Sequence, residues 1–344
     1  MEIDEIIELV RRGSIEDAID RIAKLKSPLD KVVALARVGE MLRNEDLLED
    51  AIYVLEKHVK NPGDKVTGYS EVASSYSKLG KLDLAVEYFK RAIELLPELK
   101  DYEAGILATS LGAKLALSGL PKLAMEVFDF ALDSIVRSEI SVIEKTDLIF
   151  QLADIMESVG DELHSKYALK FYERAYEIFD YLKVGERARS LEKKIELAKA
   201  MKVEGTPEVR KLALAGMFKE AISLLSSLSG KDKVIGLFEL ALWAKKLESY
   251  EAFEISDLAL KELKSLSLDD DSLERIVNIL LEMELFDTAL EVSLSIKDQG
   301  KRDVSLAKVA LSLIKIGERE RVVGDILPRI GSEYIKEEIV KKLR

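Results

Sequence analysis

The sequence contains no cysteine. Disulfide frameworks, thiolate zinc sites, iron–sulfur clusters and a cysteine nucleophile are therefore excluded. Histidine is limited to His58 and His164, so a Ser/His/Asp triad would have to use one of these. Amide side chains are confined to Asn44, Asn61, Asn278, Gln151 and Gln299. Proline is equally scarce, and Pro28, Pro62, Pro97, Pro121 and Pro207 read as helix boundaries. Alternating β-branched runs and Asn-Gly or Asp-Gly hairpin turns are missing, so no strand is predicted. No apolar run reaches the ~18 residues of a membrane span. The best candidate, 105–120, is interrupted by Lys114. Phosphate-loop, dinucleotide, zincin and nucleophile-elbow motifs do not occur.

What is present is a chain of 344 residues, 48% hydrophobic and 34% charged, with net charge −12. That length exceeds one ordinary core, so two domains or an extended repeat array are expected. The acidic balance argues against nonspecific binding of nucleic acid or anionic membranes. The start, Met1-Glu2-Ile3-Asp4-Glu5, is unlike the basic region of a secretory signal, which predicts a cytoplasmic protein. Abundant Lys and Glu beside few amides suggest a thermophilic source.

A pattern of a break, a short gap and then Ala beside an aliphatic residue recurs along the chain. Its anchors are Ala18, Ala51, Ala85, Ala124, Ala168, Ala221, Ala252, Ala289 and Val322, spaced 33, 34, 39, 44, 53, 31, 37 and 33 residues apart. Each copy reads as two amphipathic helices. In the third, Tyr69, Val72, Ala73, Tyr76 and Leu79 share one helical face, and Gly80 ends that helix. Ala85, Phe89, Ala92 and Leu96 form the stripe of the second, which Pro97 stops. Such a pair buries its stripe only by stacking on its neighbours.

These residues resemble the tetratricopeptide repeat (TPR) family, whose signature places aromatic, Leu-Gly, Tyr, Ala, Phe and Pro over 34 residues. The third copy carries Tyr69, Val72-Ala73, Tyr76, Gly80, Ala85, Phe89, Ala92 and Pro97 at those places. The fourth has Leu111-Gly112, Leu115, Gly119, Ala124, Phe128 and Ala131, and the fifth Gly160, Ala168, Tyr172 and Ala175. The second keeps Val38-Gly39, Leu42, Ala51 and Pro62, but His58 replaces the later Ala and is expected to pack partly buried between helices. The motif is recognisable over 30–180, and the last four copies are degenerate.

The widest interval holds an extra helix near 185–203, followed by the break Glu204-Gly205-Thr206-Pro207. A domain boundary is placed there, dividing 1–205 from 206–344. The two parts carry −9 (30 basic, 39 acidic) and −3 (22 basic, 25 acidic) formal charges. Ser332 is expected to cap a final helix 333–343, with Lys341, Lys342 and Arg344 at its end, as the helix dipole favours. The expected fold is all-α: a right-handed α-α superhelix (solenoid) of about nine helix hairpins plus a C-terminal capping helix.

Asp269-Asp270-Asp271-Ser272 lacks the glycine and distant Glu of a calcium loop and reads as an acidic helix start. Tyr167, Phe171, Tyr172, Tyr176, Phe179 and Tyr181 crowd one helix and read as packing, as does Trp243. A basic segment of Lys183, Arg187, Arg189, Lys193, Lys194, Lys199 and Lys202 is a local exception to the acidic chain. It could dock an acidic segment, phosphate or RNA, or be a solvated surface whose charges pair among themselves. In TPR proteins the first helix of each pair lines a concave, peptide-holding surface. The resemblance places Arg37, Glu40 and Arg43, then Thr67, Ser70, Ser74, Ser77 and Lys78, then Thr109, Ser110, Ala113 and Ala116 on such a face.

The expected function is thus a non-catalytic protein–protein interaction scaffold, binding a peptide or helical segment without cofactor or metal. Nucleic-acid binding through the basic helix, self-association into a homo-oligomer, and carboxylate-only metal-dependent hydrolysis are the alternatives.

Overall fold

In the computed structural model, residues 2–343 are described. Arg344, expected at the end of the last helix, lies outside the described residues. Twenty α-helices and no strand occur among them. They are α1 (Glu2–Arg11), α2 (Ile15–Lys24), α3 (Pro28–Leu42), α4 (Glu45–His58), α5 (Pro62–Lys78), α6 (Leu82–Leu95), α7 (Asp101–Leu117), α8 (Pro121–Arg137), α9 (Val142–Glu162) and α10 (Ser165–Tyr181). There follow α11 (Gly185–Ala200), α12 (Pro207–Leu214), α13 (Phe218–Ser226), α14 (Gly230–Lys246), α15 (Glu251–Lys264), α16 (Asp270–Glu282), α17 (Phe286–Leu294), α18 (Gln299–Lys315), α19 (Arg319–Arg321) and α20 (Glu333–Leu343).

The chain divides into two compact units, Met1–Leu163 with Lys170–Leu191, and His164–Leu169 with Glu192–Arg344. The division runs through α11, upstream of the Glu204–Pro207 break. The reason is packing: Leu197, Ala200 and Met201 are buried in the same core as α12 to α20.

In the first unit, α1 packs on α2, α3 on α4, α5 on α6 and α7 on α8, while first helices also stack in order, α1 on α3, α3 on α5, α5 on α7 and α7 on α9. The second unit repeats the scheme with α12 on α13, α14 on α15 and α16 on α17, and with α12, α14, α16 and α18 in succession. The repeat positions explain this. Ala85, Phe89, Ala92, Ala124, Phe128 and Ala131 are all within 1% of full burial. Each phenylalanine stabilises the array by about 2–3 kcal/mol. Gly112 makes room for one of them: a Cβ there would stand 3.0 Å from the Phe128 ring.

Most of the hairpin turns share one backbone device, the α9–α10 turn being an exception. A residue one or two positions after the first helix takes a left-handed conformation, as at Gly80 with φ 79°. Arg43, Glu248 and Glu284 adopt it without glycine, at φ 50°, 55° and 62°. Ser27, Asn44, Asn61, Ser141, Thr206, Asp269 and Asp298 accept from backbone amides at helix starts. Asp269 is the acidic start that its neighbours predict, and its bond from Ser272 N holds the carboxyl down at about 2.

Three details depart from the regular scheme. His58 is exposed, with its ring edge-on to Tyr53 at 6.3 Å, because Ala51 and Leu55 take the inward positions of α4. The last hairpin has no regular second helix: three-residue α19 runs into a π-helical turn, Val322–Ile326. Val322 and Ile326 are nonetheless fully buried. Helix α20 covers α18, capped by Ser332 Oγ, which accepts from Ile335 N at 3.4 Å. The buried Asp303 carboxylate holds the entry to α20 by accepting from Gly331 N at 3.0 Å and Ser332 N at 2.8 Å.

Candidate functional site

The face made by α3, α5 and α7 is built around one carboxylate. Glu71 on α5 accepts from Lys114 Nζ of α7 at 2.7 Å and from Arg37 of α3 at 3.4 Å. Burial opposes its ionisation, yet Lys114 and then Arg37 outweigh that and hold the carboxyl below its usual range. A second tie runs from Glu40 of α3 to Lys78 Nζ at 2.9 Å and Ser75 Oγ at 3.3 Å. Ser77 Oγ donates to the Ser118 carbonyl at 3.2 Å. The three helices are therefore joined on this face by polar bonds, each between residues far apart in sequence.

The sequence-predicted residues divide into two groups here. Arg37, Glu40 and Lys78 enter those ties, and Ser74, Ser110 and Ala113 stand at least partly open to solvent beside them. Arg43 is exposed in the α3–α4 turn instead. Ser70, Thr109 and Ala116 are not displayed; all three are buried. The hydroxyls tolerate this because each donates to its own helix, Ser70 to the Thr67 carbonyl and Thr109 to that of Gly105, both at 2.8 Å. Thr67, half-buried, lines a cavity of about 380 Å³ between α5 and α7, with Lys100, Tyr102, Glu103, Ile106 and Leu107. Glu71 and Lys114 were not among the predicted site residues. Their sequence signal is opposite charge on successive first helices, with Glu71 at the register of Arg37 and Lys114 about one helical turn further along.

The basic segment is not one feature. Lys183 sits at φ 61° ahead of α11. Arg187 is consumed by Asp154 and by Glu157, the latter at 2.6 Å, and stacks over Phe179 at 5.0 Å. Arg189 donates to the Gly185 carbonyl at 3.2 Å. Lys193 and Lys199 are exposed and Lys194 is half-buried. Lys202 follows α11 and lines a separate cavity. Among the aromatics of α10, Phe171, Tyr172 and Phe179 are buried, whereas Tyr181 is 78% exposed. Trp243 is buried, and its Nε1 donates to the Ala213 carbonyl at 3.0 Å.

Among the described residues, no group of three or more His, Asp and Glu is arranged to hold a metal ion. No helix there is long and apolar enough to cross a membrane.

Comparison with solved structures places the chain beside Ton1535 from Thermococcus onnurineus NA1, with 32% identity over 99% of this chain and 98% of that one, at TM-score 0.81. The chain belongs to the Ton1535 family. The alignment takes in both units, so the irregular spacing of the repeats lies within the compared region. Two other helical structures resemble it more distantly. A Rap protein complexed with competence and sporulation factor is 17% identical, covering 99% of this chain and 98% of that one, at TM-score 0.31. The apo quorum sensor NprR from B. thuringiensis is 14% identical, covering 100% and 86%, at TM-score 0.30. At such scores neither bears on function. No protein-family model and no curated protein sequence matches the chain.

Proposed function

We propose that the protein is a non-catalytic interaction scaffold that binds a peptide or helical segment of another protein across α3, α5 and α7. The observation that carries this reading is the cavity of about 380 Å³ at Thr67, beside the row of short side chains at Ser74, Ser110 and Ala113. Tyr102 and Ile106, 46% and 39% exposed, offer apolar surface for one anchoring side chain. Lys100, Asp64 and Glu103 offer polar groups around it. Short side chains let a partner backbone approach, and the tied charges keep the floor rigid. Most of a partner's binding energy would come from such an anchor, with the polar rim setting register. The TPR resemblance of residues 30–180 supports the same face.

Capture of host proteins on the immobilised chain tests the reading. A bound polypeptide is expected on the unmodified protein and is expected to be lost with Ser74→Arg/Ser110→Arg. Retention of the same polypeptide by that variant, with unchanged thermal unfolding, would sink the assignment of this face.

A further inference from the structure

The second unit contains a larger cavity, about 890 Å³, lined by His164, Lys166, Tyr167, Lys202, Val203, Arg275 and Asn278. That volume is within the range of small-molecule sites. No carboxylate lines it. Lys166 and Lys202 are exposed and have no acidic partner among the described residues, although many cations of this chain are paired. Asn278 Oδ1 accepts from Lys308 Nζ at 3.0 Å, which adds a fourth cation nearby and leaves the amide NH₂ to donate elsewhere. His164 is pushed below its ordinary value, first by burial and also by Arg210 and Lys166. It is a neutral ring at pH 7.

The wall of this cavity is built in advance. The turn carrying Lys202 and Val203 is fixed from three directions. Buried Glu239 accepts from Val203 N and Glu204 N, both at 2.9 Å. Arg275 joins Glu239 at 3.1 Å and the Ala200 carbonyl at 3.3 Å. Ser165 donates to the Gly205 carbonyl from its backbone N at 2.9 Å and its Oγ at 2.8 Å. Gly205 admits no side chain, since a Cβ would lie 2.2 Å from the Met201 carbonyl oxygen. A turn fixed in this way presents Lys202 from an already ordered backbone, which lowers the cost of binding an anion there.

We propose that this cavity binds a phosphate-bearing small molecule. Lys166, Lys202 and the Asn278 amide contact the phosphate, and Tyr167 and Val203, 38% and 37% exposed, meet the less polar part. Compact ammonium groups and an amide suit a tetrahedral anion approached from several sides.

Calorimetric titration of the full chain at low ionic strength tests this, with pyrophosphate and AMP as probes. Saturable one-to-one binding of at least one probe is expected. Lys166→Gln/Lys202→Gln should weaken it tenfold or more, whereas Lys26→Gln/Lys60→Gln should leave it unchanged. Both lysine pairs are exposed, so thermal unfolding should not move in either variant. Failure of both probes to saturate, or equal binding by the Lys166/Lys202 variant, overturns the proposal. The site shares no residue with the α3–α5–α7 face, so its failure leaves the scaffold reading untouched.

Discussion

Lys114 Nζ lies 2.7 Å from Glu71 Oε1, joining residues 43 apart in the chain. Their side chains are only 23% and 15% exposed. Removing one member of so sheltered a pair leaves the other without its counter-charge. Lys114→Met should therefore cost about 2 kcal/mol, less than a fully buried pair because some water reaches it. Glu71 is held below its ordinary range, so its contribution exists above the unfolded-state value and disappears as pH falls through the folded one. Urea unfolding of Glu71→Gln should show a clear deficit at pH 7 that shrinks at pH 3. An equal deficit at both pH values would contradict this account.

Glu204 gives the opposite pH signature. Burial first, then Asp232 and Glu239, push its carboxyl up to about 7. A raised acid stabilises fully below the unfolded value near 4.5 and loses that contribution as pH rises through the folded value. The second unit should thus weaken as pH rises from about 4.5 to about 7, by about 1 kcal/mol once solvent screening of a half-buried group is allowed for. Glu204→Gln should flatten the profile. Thermal unfolding across that range measures it directly.

Asp303 anchors α20. Asp303→Ala removes the acceptor from Gly331 N and Ser332 N. Two stranded donors cost about 2–4 kcal/mol together. Hydrogen exchange should rise first in α20, with α3 to α8 unaffected.

The turns supply a paired test. Gly80→Ala forces a side chain into φ 79° and should destabilise by about 1 kcal/mol. Glu248→Gly, at φ 55°, relieves the same strain and should be neutral or stabilising by about 0.5 kcal/mol, since added unfolded-state freedom offsets part of the gain. Loss of stability in both would mean that the turn residues act through something other than backbone conformation.

Local spacing alone determined much of this protein. Ala85, Phe89 and Ala92 recur at helical intervals beside a turn glycine, and that pattern already requires helix pairs stacked on their neighbours. Acidic residues before Ser272 and the Ser332 cap are equally local, because a helix end is satisfied by groups within a few positions. Only the tertiary structure decided which charges meet. Glu71 needs Arg37 and Lys114, and the cavity of about 890 Å³ needs Lys166, Lys202 and Asn278, which come together only when separate helices stack. His58 and Ser70 show the same limit from the other side. Whether a side chain at a repeat position is covered depends on the slight rotation of its helix against the next. That rotation is set by packing volume, here by Leu55 and by the small residues around it, and no single repeat encodes it.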